Sequence, residues 1–174
     1  MIALLRGINV GKAKRVAMAD LRALVEHLGY SDVRTLLNSG NLVFTAPGIT
    51  PAVAGARIEE ALAKQLGVPS RITVLTSAEL SAIIEGNPLL DIANDPSRLL
   101  VAVLAKPGDR KILDPLLKED WSPEALATGS RVAYLWCPEG ILASRLPEAV
   151  GKVLRDGVTT RNWSTITKLQ ALVG

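Results

Sequence analysis

The order in which strand and helix signals alternate constrains the fold of this chain most. Over residues 1–76, apolar runs predict strands, and apolar residues three or four apart, such as Leu21, Leu24 and Leu28, predict helices. The predicted elements are a strand at 2–8, a helix at 18–28, strands at 33–38 and 42–45, a helix at 51–66 and a strand at 72–75. This βαββαβ order is that of a split βαβ unit, the ferredoxin-like fold.

The second half of the chain approximates the first. The predicted strands lie at 99–104, 132–137 and 158–161, and the predicted helices at 77–84, 111–118, 142–154 and 163–173. The match to the first half is complete if a short strand lies near 125–128. We therefore predict an α+β protein of two ferredoxin-like (split βαβ) halves in tandem, with an extra C-terminal helix. Residues 86–97 carry two prolines, two aspartates and two asparagines, which favours a linker. The predicted division is a first lobe with its following helix at 1–85, this linker, and a second lobe at 98–174.

Composition excludes several classes of protein and of site. The single cysteine, Cys137, cannot form an intrachain disulfide, and with one histidine, His27, the chain lacks the Cys/His cluster of a structural zinc site. The longest apolar runs are far shorter than the roughly 20 residues that cross a bilayer. We therefore expect a cytoplasmic protein without a membrane partner. We predict no metal or cofactor, and a hard-metal site built from carboxylates is the alternative that composition leaves open. Cys137 lies on an alternating strand, and we predict a structural role for it.

The segment 6–15 is the first candidate for binding chemistry. Residues 1–19 contain four basic side chains and no acidic one, although the net charge of the whole chain is only +3. Gly7 and Gly11 would let the backbone turn tightly near a ligand, while Lys12 and its neighbours Lys14 and Arg15 would neutralise phosphate. The segment is not a P-loop, because only three residues separate the glycines and Ala13 has no hydroxyl for magnesium. A solvated basic connection between a strand and a helix is the alternative interpretation.

The segment 159–168 is the second candidate. If Asn162 or Thr160 caps the last helix, the free amide groups of its first turn and the Arg161 guanidinium would converge on one anion. The alternative is an ordinary helix cap, in which Arg161 pairs with a carboxylate or with backbone carbonyls. The hairpin at 38–41 adds polar groups beside the first strand, although such a sequence is more often only a turn.

Three segments together resemble a known family. They are Ala3 to Gly11, Ser39 to Phe44 and Thr160 to Thr165. In combination they are similar to the bacterial family catalogued as domain of unknown function 1697. The resemblance implies a cytoplasmic bacterial protein with ferredoxin-like halves, and it implies no activity. One departure is Lys12, which stands where family members commonly have a second glycine and which adds a charge to the loop.

The sequence favours a protein that binds a phosphate-containing ligand, either nucleic acid or a nucleotide. The residues predicted to contact that ligand are Arg6, Gly7, Asn9, Gly11, Lys12, Arg161, Asn162 and Thr165. Two alternatives stay open: an enzyme acting on a phosphorylated small molecule, and a non-catalytic scaffold or homodimer whose interface is formed by the apolar sheets or by Trp121 and Trp136. An RNA-recognition surface is disfavoured, because such a surface needs aromatic residues on the first and third strands and the chain offers Phe44 alone.

Overall fold

The computed structural model describes residues 1–12 and 14–174. Ala13, on which the P-loop comparison partly rests, lies outside the described residues. The described chain divides into two compact units. Unit 1 comprises Met1–Glu79 and Ala171–Gly174, and unit 2 comprises Leu80–Gln170. The linker at 86–97 stays a prediction from composition.

Unit 1 contains the complete βαββαβ order. Its elements are β1 (Ile2–Leu5), α1 (Met18–His27), β2 (Ser31–Leu36), β3 (Asn41–Thr45), α2 (Pro51–Leu66) and β4 (Ile72–Leu75), followed by the start of α3 (Ser77–Glu85). The four strands form one sheet in the order β2-β3-β1-β4, and every neighbouring pair is antiparallel. Strands β1 and β3 are thus the central pair, and the loop that follows β1 emerges beside the turn that precedes β3.

Local sequence explains the boundaries of α2. The Thr50 hydroxyl accepts a hydrogen bond from the Val53 amide at 3.3 Å, and Pro51 occupies the first turn, where its missing N–H costs nothing. Gly67 ends the helix in the left-handed conformation with φ of 65°. The face of α2 that carries Ile58 and Leu62 is buried in the core of unit 1.

Unit 2 repeats the arrangement. Its elements are β5 (Leu99–Leu104), a 3-10 segment (Pro107–Leu113), α4 (Asp114–Leu117), β6 (Ala125–Thr128), β7 (Val132–Trp136), α5 (Leu146–Leu154), a 3-10 segment (Arg155–Gly157), β8 (Val158–Asn162) and α6 (Trp163–Val173), of which the part up to Gln170 belongs to this unit. The strand order β6-β7-β5-β8 matches that of unit 1, position for position, and all pairs are antiparallel. The predicted fold class is therefore confirmed: two tandem ferredoxin-like halves with a C-terminal helix.

Two helices of the second half differ from their predicted bounds. The helix predicted at 111–118 is instead a 3-10 segment from Pro107 that continues into four α-helical residues. The helix predicted from Leu142 begins at Leu146, because Pro147 fits the first turn of a helix and not its interior. Leu142 lies in a turn and is fully exposed.

The thiol of Cys137 has the structural character predicted for it. The residue is completely buried beyond the end of β7, and burial raises the pKa of its thiol. We expect a disulfide reagent to label Cys137 only as fast as the protein unfolds, because the thiolate is the reactive form. The measurement is the labelling rate in buffer against the rate in denaturant, where one thiol per chain should react at once. Rapid labelling of the folded protein would contradict a buried, inert cysteine.

Candidate functional site: a basic loop beside the start of α1

The two family-like segments of unit 1 lie against each other. The Leu5 amide donates to the Gly40 carbonyl at 2.8 Å, which joins the end of β1 to the β2–β3 turn. A Cβ atom built on Gly40 would lie 2.7 Å from both the Leu5 Cβ and the Ile8 Cδ1, and the φ of Gly40 is 78°. Only glycine fits this position, because both the space and the backbone conformation exclude a side chain. The contact fixes where the basic loop begins.

Asn9 holds the loop closed with its side-chain amide. Its Nδ2 donates to the carbonyl oxygens of Val16, at 2.9 Å, and Asn38, at 2.7 Å, while its Oδ1 accepts from the Val16 amide at 2.9 Å. The Asn9 backbone amide also donates to the Lys14 carbonyl at 3.0 Å. The φ of Asn9 is 54°, a left-handed conformation that asparagine tolerates better than most residues. Asn9 is therefore a structural clamp whose amide group is already occupied.

The remaining predicted residues of this loop shape its first half. The Arg6 amide donates to the Arg71 carbonyl at 2.9 Å, and the Arg6 carbonyl accepts from the Ser70 hydroxyl at 2.9 Å, so the backbone of Arg6 is bonded to the segment before β4. Gly7 and Gly11 both have left-handed φ values, 65° and 62°, as the prediction of tight turns requires. The two glycines therefore set the path of the loop.

An open cleft of about 400 Å³ lies between this loop and the start of α1. Its lining residues are Asn9, Arg15, Val16, Ala17, Met18 and Asn38. Ala17 is the N-cap of α1 and has no side chain that can cap the helix, so the first amide groups of α1 lack the usual side-chain acceptor. The Arg15 side chain is exposed at the cleft, and no described residue pairs with it.

Positive charge is concentrated at the loop. Lys12, Lys14 and Arg15 are exposed, and no ion pair joins any of them to a carboxylate within the described residues. Elsewhere in unit 1, three cations are neutralised by pairs with carboxylates: Arg22 with Glu26 at 2.8 Å, Lys64 with Glu60 at 2.5 Å, and Arg71 with Glu59 at 3.4 Å. The loop thus carries uncompensated charge, whereas these sites do not.

The predicted residues of unit 2 form a helix cap. The Asn162 Oδ1 accepts from the Thr165 amide at 2.9 Å and from the Thr165 hydroxyl at 2.8 Å, and Thr165 is buried. The half-buried Arg161 donates to the Thr160 carbonyl at 2.9 Å. Burial lowers the pKa of Arg161 to about 10, so the guanidinium remains charged at neutral pH. Its participation in one site with the basic loop stays a prediction.

The ligand-binding residues predicted from the sequence do not include Arg15 and Asn38, although both belong to segments that the sequence analysis named as candidates. The sequence feature that indicates a binding site near these two residues is Ala17, which directly precedes α1. Serine, threonine, aspartate and asparagine are the usual N-caps, and an alanine at position 17 leaves amide groups for another acceptor. That signal becomes useful only once the start of α1 is known to border the loop.

Aromatic side chains do not form a base-stacking surface in unit 1. Phe44 packs into the core on the helix side of the sheet, where its ring stacks on Tyr30 with centroids 5.2 Å apart. The opposite face of the central strands, which carries Ile2, Leu4 and Val43, is buried as well, with at most 5% exposure. A sheet surface of the RNA-recognition type is therefore closed to bases.

Comparison with known proteins gives a fold and a family. The chain is similar to the structure of the conserved bacterial protein SP0830 from Streptococcus pneumoniae, with a TM-score of 0.81 and 24% identity over 99% of this chain and 97% of the other. No curated protein matches the sequence. None of the helices in the described part of the chain has the length and apolar character needed to span a bilayer. The family model described as protein of unknown function (DUF1697) matches residues 1–134, and the chain belongs to that family.

Proposed function

We propose that the protein binds a phosphate-bearing ligand, nucleic acid or nucleotide, in the cleft between the basic loop and α1. One observation carries the proposal: Arg15 lies in that cleft without a carboxylate partner among the described residues, and the exposed Lys12 and Lys14 precede it in the same loop. A guanidinium matches the geometry of a phosphate group and forms strong charge-assisted hydrogen bonds with it. The first turn of α1, which has no side-chain cap, adds backbone donors and a favourable dipole, while Asp20 in the same turn contributes an opposing negative charge.

Binding is better supported than catalysis. The described residues that line the cleft supply a guanidinium, two side-chain amides and apolar groups, but no carboxylate, imidazole or thiol. General acid–base and nucleophilic catalysis need such groups within hydrogen-bonding reach of the substrate. Following the family resemblance, we place this binding function in the bacterial cytoplasm.

Removal of the Arg15 charge should weaken binding. We expect Arg15→Ala to lower the affinity for AMP, or for a short single-stranded DNA, by about tenfold or more, because a charge-assisted hydrogen bond to phosphate is lost. The matched control is Arg57→Ala, since Arg57 is an exposed cation on α2 of the same unit but does not line the cleft. Isothermal titration calorimetry at low salt measures both variants.

The proposal fails if both variants bind as the unaltered protein does, or if they weaken binding equally. Equal weakening would mean that only net charge matters. Arg161→Ala in the same titration tests the second predicted segment, because a residue of the binding site should change the affinity and not only the stability.

A further inference from the structure

We infer that the preferred ligand is a small phosphate monoester, such as a mononucleotide, and not a nucleic-acid strand. The inference rests on the proposed function and names the ligand class of the same cleft. Three features of unit 1 support it: how its charges are distributed, which surfaces remain open, and how large the cleft is.

The exposed cations of the basic loop are grouped in one short segment. Lys12, Lys14 and Arg15 lie within four residues of one another, whereas Arg22, Lys64 and Arg71 are paired with carboxylates and Arg57 is a single exposed cation on α2. A strand of nucleic acid is held by a track of cations that meets successive phosphates. One compact group of cations instead fits one phosphate group.

The charge of the phosphate group also favours a monoester. A phosphate monoester carries about two negative charges near neutral pH, because its second pKa is about 6, whereas an internal phosphodiester carries one. A cluster of three cations that form no ion pair with a carboxylate within the described residues therefore favours the dianion over any internal phosphate of a strand.

The open surfaces and the cleft agree with a compact ligand. The sheet face that would stack bases is closed by Ile2, Leu4 and Val43, so a strand would gain no stacking energy there. The cleft of about 400 Å³ falls within the range usual for small-molecule sites, about 300–1,000 Å³. Asn38 lines it, and within the described chain its side-chain amide makes no hydrogen bond. That amide is available to the organic part of the ligand.

The test compares ligands that carry different kinds of phosphate group. Inorganic phosphate, AMP, 3′,5′-cyclic AMP and a DNA oligonucleotide with hydroxyl ends are titrated against the unaltered protein and Arg15→Ala. We expect AMP to bind roughly tenfold more tightly than the cyclic diester, because the diester has lost one charge and one acceptor oxygen. We also expect inorganic phosphate to compete with AMP, the oligonucleotide not to displace it, and Arg15→Ala to weaken AMP.

Failure of this inference can be separated from failure of the proposed function. If the oligonucleotide binds through Arg15 with a salt slope of several phosphates, about −0.7 for each one contacted, and AMP does not compete, the monoester inference is overturned and phosphate binding stands. Equal affinity for AMP and the cyclic diester overturns it as well. If none of the four probes binds, both proposals fall.

Discussion

Replacing Gly40 with alanine should destabilise the protein by about 3 kcal/mol. A new Cβ atom would lie 2.7 Å from two core atoms, on Leu5 and Ile8, and overpacking of this kind costs about 1–3 kcal/mol. The backbone at Gly40 also has a φ of 78°, and a left-handed conformation costs a side-chain-bearing residue about 1–2 kcal/mol. The two effects act at the same residue, at the point where the β2–β3 turn meets the basic loop.

Gly48→Ala is the matched control for this substitution. Gly48 has nearly the same backbone conformation, with a φ of 73°, but no atom lies within 4 Å of a Cβ built there. Its substitution should cost only the conformational part, about 1–2 kcal/mol. Denaturant unfolding followed by circular dichroism measures both free energies. If the two variants lose equal free energies of unfolding, the close packing of Gly40 against Leu5 and Ile8 is contradicted.

Replacing Asn9 with alanine should cost about 2–3 kcal/mol and also weaken phosphate binding. The change removes three hydrogen bonds, each worth about 1 kcal/mol, and leaves the amide of the buried Val16 without its acceptor. Alanine also tolerates the left-handed backbone at position 9 less well than asparagine does. Because these bonds close the loop, Arg15 should lose its fixed position beside α1.

Asn38→Ala is the control for Asn9→Ala, because it also removes an asparagine side chain from this region but removes none of the hydrogen bonds that close the loop. The Asn9 side chain bonds to the carbonyl of Asn38, which alanine retains, and the Asn38 side chain makes no hydrogen bond in the described chain. Its substitution should therefore change the free energy of unfolding by less than about 0.5 kcal/mol. Thermal or denaturant unfolding of both variants compares their stability, and an AMP titration of Asn9→Ala against the unaltered protein measures the loss of affinity. If Asn9→Ala is as stable as the unaltered protein and binds AMP with the same affinity, the Asn9 side chain does not hold the loop closed.

The sequence by itself determined the order of the strands and helices and several of their bounds. The strands at 72–75 and 99–104 and the last helix at 163–173 have the predicted bounds, and a strand lies at 125–128, where one was needed to complete the second half. The capping residue of that helix, Asn162, was also one of two candidates from sequence. These features depend on periodicity, capping and breaking residues within a few positions of each other, which a single sequence displays directly.

Only the tertiary structure decided what the family-like segments do. Sequence reasoning treated Asn9 as a ligand contact, whereas its amide group clamps the loop to Val16 and to the distant carbonyl of Asn38. It identified Ser39 and Gly40 as a turn, but could not show that Gly40 lies against Leu5 and Ile8. Such contacts follow from the pairing of β1 with β3, and strand pairing joins residues far apart in sequence. For the same reason, the cleft that exposes Arg15 at the start of α1 exists only in the folded chain.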